Sequence, residues 1–266
     1  MVIGKKIDDH LAALSSIRPE QVRAVMALRE KDFHFCLFGI HSGTCFSVMN
    51  LLITELPAFL DSLQEKGKDF PEVNLFLCNP EVSLIPAAIF QESDALEFLR
   101  QIHGGTMEQC ISQRMDHLSS YLMFSVRASL KEQWMSTFPQ SEIHHITEIL
   151  LHAEEAELQF KGPGRLRAHM EGKTLYLLAY EGKALTFFNS FQSQGPTDTL
   201  YYILHSMDSL GMDYQETELH LTGVNAEMEE TENILNSYCP LIQTAKDLRP
   251  EHQVLGLLSK HQLCVS

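Results

Sequence analysis

His144, His145 and His152 crowd one short stretch of the chain, and imidazole nitrogens so close in sequence are raw material for a metal site. A zinc centre needs three or four ligands at fixed spacing. No HExxH motif, cysteine or further histidine supplies them here. Histidines at the surface or satisfied in the core are the expected outcome. Asp116, His117, Ser119 and Ser120 carry the acid, base and nucleophile of a hydrolytic triad. They lack the G-x-S-x-G elbow that would present a serine on a sharp turn, so no acyl-transfer site is assigned. Glu171-Gly172-Lys173-Thr174 ends like a P-loop, GxxxxGK[ST], but position 167, where the first glycine belongs, is arginine. Its surroundings read strand–turn–strand where a P-loop needs strand–loop–helix, so a hairpin turn is expected.

One further stretch has the form of a ligand site. TELHLTGVNA, residues 217–226, runs from an alternating strand through a single glycine to an asparagine that can cap a helix. Backbone N–H groups at such a junction suit an adenosine or a phosphate, which makes Thr222, Gly223 and Asn225 the candidate cofactor-binding residues. Behind them lie Glu227, Glu229, Glu230 and Glu232. Carboxylates in a first turn stabilise the helix through its dipole but repel a phosphate at the same end. The favoured reading is a tight strand-to-helix turn, with a small-ligand or peptide contact as the alternative. No catalytic residue and no metal ligand is assigned.

The elements that must position these groups are clearest in the second half. RLRAHMEGKTLYLLAYEGK, residues 165–183, repeats the triplet EGK between runs of strand formers at Leu166–Met170, Thr174–Tyr180 and Ala184–Phe191. Leu166, Ala168 and Met170 alternate with Arg165, Arg167 and His169, the period of a strand. A glycine in each EGK turn predicts a three-stranded antiparallel meander. GPTDTLYYILHSMDSLG then predicts a helix capped by Thr197 and stopped by Gly211, with Leu200, Ile203, Leu204, Met207 and Leu210 as its apolar stripe. Tyr201 and Tyr202 project about 100° apart on that helix, so one ring packs on the sheet and the other faces the other half or a partner. A strand at Glu218–Thr222, a helix over 226–238, a strand at Leu241–Ala245 and a helix at Glu251–Lys260 complete the half.

The first half follows a similar order with more decoration. Strands are expected at Val22–Arg29, Phe33–Gly39 and Thr44–Leu51, then a helix at Glu55–Lys66 and a strand at Val73–Cys78. A helix at Ser93–Ile102 ends at the HGGT stop, residues 103–106. A strand at Ser120–Val126, a helix at Ser129–Thr137, a strand at Ile143–Ile146 and a helix at Thr147–Glu157 follow. Gln159–Arg165 (QFKGPGR) reads as the linker. The expected division is 1–158 and 159–266.

Composition narrows the classes. With 44% hydrophobic and 21% charged residues, the 266-residue chain can bury a substantial core. Its formal charge of −15, from 35 acidic and 20 basic residues, disfavours nucleic acid, whose binding depends on neutralising phosphates with Lys and Arg. The same charge disfavours anionic lipid. Cys36, Cys45, Cys78, Cys110, Cys239 and Cys264 show neither CxxC pairs nor a disulfide framework, so reduced thiols in a cytoplasmic protein are expected. No segment reaches the ~20 apolar residues that span a bilayer, and the N-terminus lacks a signal-peptide core.

Two successive β-β-β-α-β-α-β units resemble the duplicated ribonuclease-H-like fold of actin, sugar kinases and Hsp70-type ATPases. This α/β architecture has a mixed five-stranded sheet in each half and nucleotide bound between the halves. Residues 175–238 are more specific. FFNSF (Phe187–Phe191), PTDTLYYIL (Pro196–Leu204) and ELHLTG (Glu218–Gly223), with SLIPAAIF (Ser83–Phe90) earlier, are similar to an uncharacterised bacterial family typical of Bacteroidetes. That resemblance implies the actin-like ATPase fold and carries over no catalytic residues.

Actin-like ATPases hold phosphates and Mg²⁺ with two hairpin turns close to D-x-G-T and D-x-G-G-G-T. Here the first turn is ALREKDFHF (Ala27–Phe35), without glycine. The second is AHMEGKTLY (Ala168–Tyr176), with one glycine and no aspartate. The expected protein is therefore a non-catalytic, pseudo-ATPase scaffold without a cofactor. Its expected partner is another protein, with a homodimer as a further possibility. The alternative is a divergent ATP/Mg-dependent phosphotransferase with atypical phosphate loops.

Overall fold

Two-residue periodicity organises both halves, as the structure, a computed structural model, makes plain. It describes residues 22–39, 45–66, 72–157, 164–224 and 227–244. The chain opens with β1 (Val22–Leu28), β2 (Asp32–Gly39) and β3 (Cys45–Leu52), then α1 (Leu56–Lys66) and β4 (Glu72–Leu77). An excursion follows: β5 (Val82–Pro86), α2 (Ala95–His103), β6 (Gln109–Met115) and β7 (Ser120–Val126). The path returns through α3 (Ala128–Thr137), β8 (Glu142–His145) and α4 (Ile146–Glu157). The second series is β9 (Arg165–Glu171), β10 (Thr174–Glu181), β11 (Ala184–Gln192), α5 (Pro196–Ser209), β12 (Glu218–Val224), α6 (Met228–Leu235) and β13 (Ile242–Thr244).

The two series build sheets of the same order, β3-β2-β1-β4-β8 and β11-β10-β9-β12-β13. In each, an antiparallel meander is extended by two parallel strands. That is the repeated β-β-β-α-β-α-β unit the sequence predicts. The excursion forms its own antiparallel sheet, β5-β7-β6. Strand β7 belongs there, and the first five-stranded sheet is completed by β8. Strands β5 and β6 carry too little apolar alternation to stand out: Gln109–Met115 reads QCISQRM.

The chain divides into two compact units. One takes the described residues up to Cys78 and Arg127–Ile149; the other takes Asn79–Val126 and the described residues from Leu150 onward. In the first unit, Phe33 and Phe35 of β2 meet Phe59 of α1 at 5.2 and 5.0 Å between ring centroids. Trp134 of α3 is fully buried against Phe138. In the second unit, Leu166, Ala168 and Met170 of β9 pack with Leu175 and Leu177 of β10, Leu219 and Leu221 of β12, and Ile203 and Met207 of α5. Each such leucine, isoleucine or methionine contributes about 1.5–3 kcal/mol by burial. The excursion has a small core of Ile85, Leu99, Met107 and Met123. Its root is fastened to the second sheet, where the Tyr176 hydroxyl donates to the Asn79 carbonyl at 3.1 Å and Ser190 Oγ donates to the Pro80 carbonyl.

Both EGK triplets make two-residue hairpin loops, with Gly172 at φ 60° and Gly182 at φ 57°. A positive φ at the first central position, with none at Lys173 or Lys183, marks a type II′ turn, for which glycine is the natural first residue. Helix α2 stops at Gly104, as HGGT predicts. Helix α5 departs from expectation at its start. Gly195, not Thr197, occupies the cap and Pro196 is the first helical residue. Proline suits that place because its missing N–H would have no partner there. Asp198 Oδ2 accepts from the Gln194 N–H at 3.0 Å, and Thr197 is exposed.

Candidate functional site

Strands β9 and β12 run parallel, and their carboxyl ends are where a ligand would rest in a sheet of this kind. Their register places Thr222 beside His169 and Gly223 beside Met170. The structure therefore brings Thr222 and Gly223 to the expected strand end; Asn225 lies outside the described residues. Both described residues are turned to the neighbouring strand. Thr222 Oγ1 lies 3.0 Å from His169 Nδ1. Gly223 has φ +117°, and a β-carbon added to it would stand 1.9 Å from the Met170 carbonyl oxygen and 2.6 Å from its nitrogen. Only glycine lets the two backbones approach so closely, so the residue is explained by sheet packing.

Carboxylates surround the same strand ends. Helix α6 begins behind Glu227 with Glu229 and Glu230 in its first turn. A β-carbon on Gly195 would lie 3.8 Å from Glu227 Oε2, which sets that carboxylate beside the start of α5. Lys173 is the nearby cation, and its Nζ donates to Gln194 Oε1 at 3.2 Å. Two helix starts lined with acids present a field that repels phosphate.

The hairpins in the phosphate-loop places are closed by the chain itself. In the first unit, Arg29 Nε pairs with Asp32 Oδ1 at 2.7 Å while the Arg29 N–H donates to the Asp32 carbonyl. Among the described residues Ser119 alone has a positive φ without being glycine, so Glu30 and Lys31 form the turn in ordinary backbone geometry. The second hairpin has room for only Gly172 and Lys173 between its strands.

Sequence reasoning passed over the most unusual feature, the polar face of β9. Arg165, Arg167 and His169 alternate with the apolar residues of the strand, and Glu171, which the sequence places in the EGK turn, continues their face. All four are buried, with His169 at 0% and Glu171 at 2% exposure. His169 Nε2 lies 3.4 Å from Glu171 Oε2, and Arg165 reaches Glu218 at 3.8 Å. Burial pushes the His169 imidazole below its ordinary value; the Glu171 carboxylate opposes that shift and the Arg167 charge adds to it. The signal was present in the sequence: β10, the neighbour of β9, is apolar on both faces in LYLLAY, which marks a central sheet position.

The other candidates are dispersed. His145 ends β8 and pairs through Nδ1 with Thr147 Oγ1 at 2.8 Å, whereas the ring of His152 on α4 lies tilted against that of His117 with centroids 4.6 Å apart. His144 lies between Glu142 and Glu148, at 3.3 and 2.8 Å. Among the described residues, no three His, Cys, Asp or Glu side chains could hold a metal. Ser120 Oγ donates to the Leu118 carbonyl, and the Ser119 N–H to that of Asp116, so these residues build a turn. The described thiols of Cys36, Cys78, Cys110 and Cys239 form no disulfide, and burial pushes Cys239 up to about 11. No helix among the described residues is long and apolar enough to cross a membrane.

Residues 14–242 match the model of a family described as a protein of unknown function, DUF3822. The chain belongs to this family. No curated protein matches it. Among solved structures, it is similar to a Bacteroides thetaiotaomicron protein with an actin-like ATPase fold and unknown function. The TM-score is 0.77 at 18% identity, over 90% of this chain and 96% of that one. It is also similar to a chain of the PilM–PilN type IV pilus biogenesis complex, with a TM-score of 0.57 at 9% identity over 91% and 98%. At these identities the likeness establishes the fold, so this DUF3822 member has the actin-like ATPase fold. The family resemblance carried by FFNSF, PTDTLYYIL and ELHLTG is thereby borne out.

Proposed function

We propose that this protein is a non-catalytic actin-like protein that acts as an interaction scaffold. The observation that carries the reading is the Arg29–Asp32 turn, which fills the place of a phosphate loop with its own 2.7 Å ion pair. A nucleotide's phosphates require backbone N–H groups aimed outward and carboxylates free to hold Mg²⁺ through water. Asp32 is committed to Arg29, and Thr222 to His169. Acids at the starts of α5 and α6 further support loss of the nucleotide. The similar fold in the PilM–PilN pilus biogenesis complex, an assembly, supports an interaction role for this chain.

The test is thermal shift and phosphate release with Mg-ATP and Mg-ADP. A ligand at a hundredfold excess over its Kd would stabilise the fold by about 2.7 kcal/mol. No shift and no turnover are expected. Stabilisation by Mg-ATP that Lys173→Glu abolishes would replace the proposal with a divergent phosphotransferase.

A further inference from the structure

We propose that the Thr222–His169–Glu171 array is a proton-sensitive latch joining β9 to β12 in the second unit. The geometry assigns each atom a role. His169 Nδ1, 3.0 Å from Thr222 Oγ1, accepts the threonine hydroxyl proton while the ring is neutral. Its Nε2–H then points toward Glu171 Oε2 at 3.4 Å, a contact longer than an ordinary hydrogen bond. The latch thus ties the two parallel strands at the register step before Gly223, where an added β-carbon would meet the Met170 backbone.

Protonation reverses the polarity of this link. An imidazolium carries hydrogen on both nitrogens, so Nδ1 becomes a donor and the Thr222 hydroxyl proton must find another acceptor. The new charge sits at a residue with no exposed surface. Glu171, on the same strand and face, favours it; Arg167, two residues back, opposes it. From β10, Tyr176 contributes a ring centroid 6.2 Å away. From β12 the facing groups are Thr222, the His220 imidazole and the Glu218 carboxylate, the last two 3.3 Å apart. Desolvation outweighs Glu171, so the folded state resists the proton that the unfolded chain accepts at the ordinary histidine value of 6.5. The stability that the neutral ring contributes is therefore fully present above pH 6.5 and is lost as pH falls from there to the depressed folded value, where the folded ring itself takes the proton and the latch opens.

One group that binds a proton only when unfolded changes the unfolding constant by up to tenfold per pH unit. The chain has 13 histidines, so the readout is the difference between the full-length protein and variants. Urea unfolding of the wild type, His169→Gln and Thr222→Val between pH 7.5 and 5 would measure it. The expected result is that His169→Gln removes up to one proton from the uptake on unfolding, whereas Thr222→Val lowers stability with the uptake retained. Nitrogen-15 imidazole spectra of the wild type provide a readout that needs no variant. His169 should appear as the neutral Nε2–H tautomer and stay so below pH 6.5. Titration at or above the ordinary value, an Nδ1–H tautomer, or unchanged uptake in a folded His169→Gln protein would each overturn the proposal.

Discussion

Replacing Gly223 by alanine asks whether the strand end is a ligand platform or a point of backbone contact. At φ +117° an alanine costs about 1–3 kcal/mol in backbone strain alone. Its β-carbon would stand 1.9, 2.6 and 2.7 Å from three backbone atoms of Met170, none of which can rotate away. Relief requires β12 to move off β9 at a register position inside the parallel ladder. Weakening two ladder hydrogen bonds there costs about 1–3 kcal/mol more. The total is roughly 2–6 kcal/mol, a large part of the ~5–15 kcal/mol that holds a protein folded. Gly182→Ala is the control, because that residue also has a positive φ but a β-carbon there meets nothing within 4 Å. It should cost about 1–2 kcal/mol, the left-handed backbone term alone. Urea denaturation followed by circular dichroism compares the two. If Gly223→Ala loses no more stability than Gly182→Ala, backbone contact with Met170 does not explain the glycine.

The paired tyrosines of α5 should separate cleanly. Tyr202 stacks on Phe191 at 4.5 Å, so Tyr202→Ala should cost about 2 kcal/mol. Tyr201 is 59% exposed, so Tyr201→Ala should stay within ~0.5 kcal/mol of wild type in the same urea denaturation. Equal losses would mean that Tyr201 is held in the fold. The single tryptophan, Trp134, is fully buried in the first unit. Its emission should be blue-shifted and protected from acrylamide, and should report the first unit while circular dichroism reports both. Quenching of the native protein at the rate of free tryptophan would contradict that burial.

Where local rules and packing agree, the sequence was sufficient. The EGK triplets specify hairpins because a two-residue turn with glycine first closes adjoining strands regardless of what covers them. The stripe Leu200, Ile203, Leu204 and Met207 specifies α5 because helical spacing and burial coincide. Thr197 misled because a threonine before an apolar run is a strong cap signal, while Pro196 already fixes the first turn one residue earlier. Strand β6 was missed because its side chains are only half buried, which leaves no alternation to detect.

The polar face of β9 was invisible for a different reason. Alternation reveals which residues share a face but not what covers that face, so RLRAHME resembles a strand with one side in water. Burying an arginine, a histidine and a glutamate is unfavourable unless each is paired, and such pairing depends on residues distant in sequence. Thr222 lies 53 residues from His169, yet the two are register neighbours. The same pairing changes the meaning of TELHLTGVNA. Its threonine and glycine looked available to a ligand because strand, glycine and helix start are local features. In the folded sheet the threonine is bound to a histidine and the glycine is pressed on a methionine backbone. Those two contacts are set by the parallel register with β9, which no local pattern in residues 217–226 encodes.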